Sequence, residues 1–196
     1  MSPQSEVNPD FAAMTRLREG EDLALNEIMD RWQRRLTSYL LRFTGNETVA
    51  IDLAQETFVR VYQSRERYRP AGEFSTWLFA IATNLARQHF RWTRRHPAVS
   101  MDETRDDGAD PPLKDRMASS GASPDEAALA SERASAVRTA VAALPEDLRQ
   151  VVVLSEYEDL SHAQIARVAG CTPKAVETRL YRARAILRER LNRWLS

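Results

Sequence analysis

Residues 161–185 read SHAQIARVAGCTPKAVETRLYRARA, and this stretch decides the fold. Ser161 followed three residues later by Gln164 is a capping-box pattern that starts a helix. Ile165, Val168 and Ala169 give that helix a short apolar face, and Gly170 is placed to end it. Thr172-Pro173 then opens a longer helix, with a hydroxyl cap and proline at the first helical position. Its apolar stripe is Val176, Leu180, Ala183, Leu187, Leu191 and Trp194. A short helix, a tight turn and a longer helix make the layout of a helix-turn-helix. Opposite the stripe lie Lys174, Thr178, Tyr181 and Arg182. Cations can contact phosphates or guanine, threonine can donate or accept, and tyrosine can pack on a base or methyl group. A solvated helix face would also be polar. The charge favours DNA, because residues 166–196 hold eight basic side chains against two acidic ones.

Upstream, helical periodicity dominates and no strand or repeat is evident. Ile28, Trp32, Leu36, Tyr39 and Phe43 mark one face of a helix that Gly45-Asn46 closes. A second helix is expected from about Glu47 to Tyr68, stopped by the turn Pro70-Ala71-Gly72. A third begins near Ser75, buries Leu78, Ile81, Ala82 and Leu85, and ends before Pro97. On its other side Asn84, Arg87, Gln88, Arg91, Arg94 and Arg95 gather, with Trp77 seven residues before Asn84. A basic row with an aromatic at one end suits single-stranded DNA, with cations along the backbone and rings on bases. The alternative is a core tryptophan with arginines complementing a helix C-terminus. The second helix carries a polar and acidic strip of Asp52, Gln55, Glu56, Val59, Gln63 and Glu66, either plain surface or a docking face for a basic partner.

Between these regions the periodicity stops. Residues 98–132 carry nine acidic and three basic side chains, and from Ala98 to Gly121 Asp102-Glu103, Asp106-Asp107-Gly108, Pro111-Pro112 and Ser119-Ser120-Gly121 replace apolar spacing. Such a segment cannot bury enough apolar surface to offset its ordering entropy. The expected architecture is therefore all-α: two small helical domains, 5–97 and 123–196, joined by a flexible acidic linker over 98–122. Ser123-Pro124-Asp125-Glu126 would cap the first helix of the second domain, which runs to about Ala143. Leu144-Pro145-Glu146 starts the next.

The chain has 196 residues, with 28 Lys+Arg balancing 28 Asp+Glu. A neutral total discourages a simple nucleic-acid-binding domain, but here it is a sum of segments of opposite sign. No apolar run approaches the ~20 residues of a membrane span, and no secretory signal is visible, so no membrane insertion and a cytoplasmic location are expected. The lone Cys171 excludes internal disulfides and a multi-thiolate metal site. His89, His96 and His162 match no zinc spacing, no glycine-rich phosphate loop or nucleophile elbow occurs, and neither a cofactor nor an enzyme is expected.

Several of these stretches together resemble bacterial extracytoplasmic-function (ECF) sigma factors of the sigma-70 family. They are Asp52-Leu53-Ala54-Gln55-Glu56-Thr57-Phe58, Phe74 to Asn84, Leu144-Pro145 and Val176 to Arg184, in the family's order over both domains. The resemblance implies an RNA polymerase sigma factor that directs core polymerase to promoters and helps melt the minus-ten element. The alternative is a stand-alone helix-turn-helix transcriptional regulator. By resemblance, Asp52, Gln55, Glu56 and Val59 would dock on the clamp helices of the largest polymerase subunit, with the flap a further contact of the chain. The loop Pro70 to Ser75 with Trp77, Asn84, Arg87, Gln88 and Arg91 would recognise the minus-ten element and a flipped base. Glu177, Thr178, Tyr181 and Arg182 would read the minus-thirty-five element, with Lys174 and Arg179 near phosphates. An anti-sigma factor is the expected regulatory partner. Two positions depart from the common pattern: Glu177, where the family often has Lys or Arg, and Gln88, where it often has Asp or Asn.

Overall fold

The computed structural model describes residues 8–69, 72–97 and 124–194. The linker expected over 98–122, the cap at Ser123 and the Pro70-Ala71 turn lie outside the described residues. Eight α-helices account for most of the rest: α1 (Pro9–Arg18), α2 (Ala24–Thr44), α3 (Glu47–Gln63), α4 (Phe74–Arg95), α5 (Pro124–Ala142), α6 (Glu146–Glu156), α7 (His162–Ala169) and α8 (Pro173–Arg190). Two 3₁₀ turns, Arg65–Arg67 and Asn192–Trp194, follow α3 and α8. No strand occurs among the described residues.

Local signals account for most boundaries. Gly45 ends α2 in the left-handed region, at φ 75°, where a side chain would be strained. Asn46 then caps α3 by accepting from the Val49 amide at 3.0 Å. The second helix is shorter than its apolar pattern suggests. It stops at Gln63, and Tyr68 is extended (φ −60°, ψ 128°), so that its ring meets Trp77 at 4.9 Å and Phe74 at 6.1 Å.

One helix, α1, has no counterpart in the periodicity. Asn8 caps it and Pro9 occupies its first position. Its buried Asp10 accepts from Arg31 Nε at 2.8 Å and Trp32 Nε1 at 3.0 Å, which fastens α1 to α2.

The core of the first helical group is aromatic. Tyr39 and Phe79 pack edge to face with centroids 5.0 Å apart, and Phe43 meets both Tyr39 and Phe90. Phe79 is wholly buried, a burial that stabilises by about 1.5–3 kcal/mol. In the second group Leu148, Val151, Val153, Leu154, Ile165, Val176, Leu180 and Ala183 are buried. The two groups also pack on each other, α6 against α2 and α7 against α4, and their buried apolar residues form one continuous cluster.

Candidate nucleic-acid and polymerase interfaces

The helix-turn-helix forms from α7 and α8. Ser161 Oγ accepts from the Gln164 amide, while Gln164 Oε1 accepts from the Ser161 amide at 2.7 Å, completing the capping box. Gly170 ends α7 at φ 66°, and Thr172 caps α8 by accepting from the Ala175 amide at 3.2 Å. Val176, Leu180 and Ala183 are buried, which turns the opposite face outward.

On that face Lys174, Glu177, Thr178, Tyr181 and Arg182 are exposed, and Tyr181 is 77% accessible with its ring free to meet a base or methyl group. Lys174 Nζ lies 2.8 Å from Glu177 Oε2. That bond raises the lysine's pKa and lowers the glutamate's, so both are charged and largely cancel at the start of the helix. Thr178 donates to the Lys174 carbonyl at 3.0 Å. Arg179 differs from its neighbours, being half-buried and directed at Asp147, 3.5 Å away.

On α3, the buried residues Ala50, Ala54, Thr57, Phe58 and Val61 leave the acidic strip outside. Asp52, Gln55 and Val59 are exposed, and Glu56 is half-buried and accepts from Arg60 Nε at 2.7 Å. Val59 is 45% accessible and Ile51 is 42% accessible at the strip's margin. Ile51 lies roughly 40° from Gln55 around the helix, and this projection is the signal by which it could have been included.

The polar row of α4 is split. Asn84, Gln88 and Arg91 face solvent. Trp77 is half-buried against Tyr68 and Phe74, so one edge of its ring is core. Arg87 turns into the seam between the two helical groups, where Nη2 lies 2.7 Å from Gln150 Oε1 and both terminal nitrogens reach the Ala169 carbonyl at 3.2 Å. Gln150 is fully buried and also reaches Thr83, whose hydroxyl is 2.7 Å from that of Tyr39.

Other seam contacts are not legible in local sequence. Glu158, 3% accessible, accepts from Arg35 Nε at 2.6 Å, and burial pushes its carboxyl up more than that bond pulls it down. Gln164 Nε2 donates to Glu73 Oε2 at 2.6 Å. Among the described residues no cluster of His, Cys, Asp and Glu could hold a metal, and no helix is long and apolar enough to cross a membrane.

Comparison with known proteins agrees with this geometry. Residues 28–96 match the sigma-70 region 2 family and residues 134–187 match sigma-70 region 4. RNA polymerase sigma-H factor of Pseudomonas aeruginosa is 34% identical over 179 residues, covering 89% of this chain and 90% of that one. ECF RNA polymerase sigma-E factor of Haemophilus influenzae is 29% identical, covering 95% and 97%. Among solved structures, sigma factor RpoE of Bartonella quintana, in complex with the anti-sigma factor NepR, superposes with a TM-score of 0.68 at 20% identity, over 87% of this chain and 98% of that one. CnrH in complex with the cytosolic domain of CnrY gives 0.66 at 24%, over 94% and 98%. The two family matches and the ECF sigma factors among the relatives agree: the chain belongs to the sigma-70 family, as an RNA polymerase sigma factor of the ECF type.

Proposed function

We propose that this sigma factor works in the cytoplasm through three separate surfaces. Asp52, Gln55, Glu56 and Val59, with Ile51 beside them, dock on the clamp helices of the largest polymerase subunit. The loop before α4, with Trp77, Asn84, Arg87, Gln88 and Arg91, takes the non-template strand of the minus-ten element. Lys174, Glu177, Thr178, Tyr181 and Arg182 on α8 enter the major groove at the minus-thirty-five element. Arg179, engaged with Asp147, acts there as a brace for α8 more than as a phosphate contact.

The energetics require the polymerase. Melting costs about 1.4 kcal/mol per base-pair step, and flipping a base costs a few kcal/mol. One or two aromatic stacks, at about 1–3 kcal/mol each, offset only part of this. Core polymerase supplies the remainder by holding both domains in register and binding the separated strands, and it also performs the chemistry of RNA synthesis.

The observation that carries this reading over a stand-alone regulator is the strip on α3, where two large apolar residues, Val59 and Ile51, are left exposed beside Asp52 and Gln55. A regulator acting through α8 alone has no use for it. Affinity capture of core polymerase tests the assignment: the wild-type chain retains polymerase, whereas Asp52→Arg with Glu56→Arg loses it. Capture unaffected by both changes contradicts the docking surface. An anti-sigma factor that covers these surfaces is the proposed regulator, in keeping with the complex of the Bartonella quintana relative.

A further inference from the structure

The exposed face of α8 carries one carboxylate among its cations. Glu177 keeps 48% of its side chain in water and Lys174 keeps 85%, and Lys174 Nζ holds Glu177 Oε2 at 2.8 Å. Tyr181, four residues further on and exposed, stands on the same side of the helix as Glu177. Lys174 above all, and more weakly His162 at the start of α7, hold the Glu177 carboxyl below its ordinary pKa, so it is ionised at neutral pH. An ionised carboxylate accepts hydrogen bonds and donates none. With Oε2 on Lys174, Oε1 still has lone pairs to offer.

In a major groove such a group selects by what it cannot do. Helix-turn-helix modules bring the N-terminal residues of their second helix to the base edges, and Glu177 lies within the first two turns of α8. The edges of guanine and thymine present only acceptor atoms there, which repel a carboxylate. Adenine presents the N6 amino donor with the N7 acceptor beside it, so one carboxylate oxygen loses what the other gains. Cytosine presents the N4 amino donor and no acceptor of its own. It is the one base edge that answers Glu177 without opposing it.

We infer that Glu177 is a cytosine-reading residue, held in place by Lys174, and that the minus-thirty-five element carries a C·G pair where Glu177 meets it. The inference rests on the proposed seating of α8 on that element. Lys174 is a positioning residue: it bonds the carboxylate across one turn and offsets its charge beside the phosphates. The arrangement gives up affinity for selectivity, because every sequence without the amino group meets an unanswered negative charge. Thr178 and Arg182 on the same face are less selective, since a hydroxyl or a guanidinium serves phosphates as well as bases.

The test uses holoenzyme and a promoter library randomised only in the distal element, with bound DNA sequenced for the wild type, Glu177→Gln and Lys174→Met. Both side chains are exposed, so neither change removes a core contact. The wild type should prefer cytosine over adenine at one position by about fivefold, the low end for a side-chain–base contact, and over guanine or thymine by more. Glu177→Gln should move that position to adenine, whose N6 and N7 a carboxamide matches with one acceptor and one donor. The other positions should stay as they were, and binding overall should tighten. Lys174→Met should keep cytosine with a weaker preference; an unchanged preference would remove its positioning role. The same base profile for the wild type and Glu177→Gln would mark a plain surface ion pair and overturn the inference. Tyr181→Ala, run alongside, separates the two levels. If it alters the profile while Glu177→Gln does not, only the cytosine reading is wrong; if neither alters it, the seating of α8 falls as well.

Discussion

Arg35 on α2 and Glu158 after α6, 123 residues apart in the chain, are joined twice: Arg35 Nε to Glu158 Oε2 at 2.6 Å, and Arg35 Nη2 to the Glu158 main-chain carbonyl at 2.7 Å. The partners are unequal, because the arginine side chain keeps 43% of its surface in water and the glutamate only 2%. Removing the arginine strands a buried carboxylate, while amidating the glutamate leaves a hydrated guanidinium that still has the main-chain bond. Arg35→Met should therefore lower stability by about 1–3 kcal/mol, and Glu158→Gln should stay within about 1 kcal/mol of wild type. Urea unfolding of both variants measures the difference, and equal losses would contradict it.

The same carboxyl predicts a pH dependence. Burial raises its pKa above the ordinary 4.5, although Arg35 opposes that shift. A carboxyl raised in the folded state stabilises the fold fully only below its unfolded pKa, and the benefit is lost as pH rises through the folded value. Relative to Glu158→Gln, which does not titrate, the wild type should lose stability as pH rises from below 4.5 toward neutrality. A relative gain over that window would show that the ion pair, and not burial, dominates.

Gly170 sets the angle between α7 and α8. Nothing lies within 4 Å of a Cβ built there, so the cost of Gly170→Ala is backbone strain alone. With φ at 66°, that cost is about 1–2 kcal/mol. Thermal melts should show Gly170→Asn to be milder, since asparagine tolerates this region better.

On α8 the expected effects are on DNA and not on folding. Tyr181→Ala removes a ring that is 77% exposed, so stability should be unchanged while minus-thirty-five-dependent transcription falls. Glu177→Gln frees Lys174 from its partner at 2.8 Å. Holoenzyme binding to promoter DNA should then strengthen and become steeper in salt by about one counterion. An unchanged salt slope would mean that Lys174 does not approach a phosphate.

Most helices are legible in the sequence because each must bury one face, and the 3.6-residue period records which. Val176, Leu180 and Ala183 announce the buried side of α8, and thereby Lys174, Thr178 and Tyr181 on the other. The helix α1 is not legible this way. It is ten residues long with little apolar asymmetry, and Asp10 secures it through Arg31 and Trp32 more than 20 residues away. Within α4, helical geometry groups Arg87 with Gln88 and Arg91. It cannot register that Gln150 and Ala169 claim Arg87, since those partners stand 63 and 82 residues further along. Tyr68 shows the same limit: its apolar character fits an extended α3, yet its ring is used against Trp77 from outside the helix.

Transcription in vitro by core polymerase, with and without this chain, on a library of randomised promoters tests the central claim most directly. The expected result is a set of transcripts that require the chain and share two short upstream elements. Asp52→Arg with Glu56→Arg should abolish them all, and Tyr181→Ala should relax only the distal element. No chain-dependent transcript, together with tight sequence-specific duplex binding by the chain alone, would contradict it.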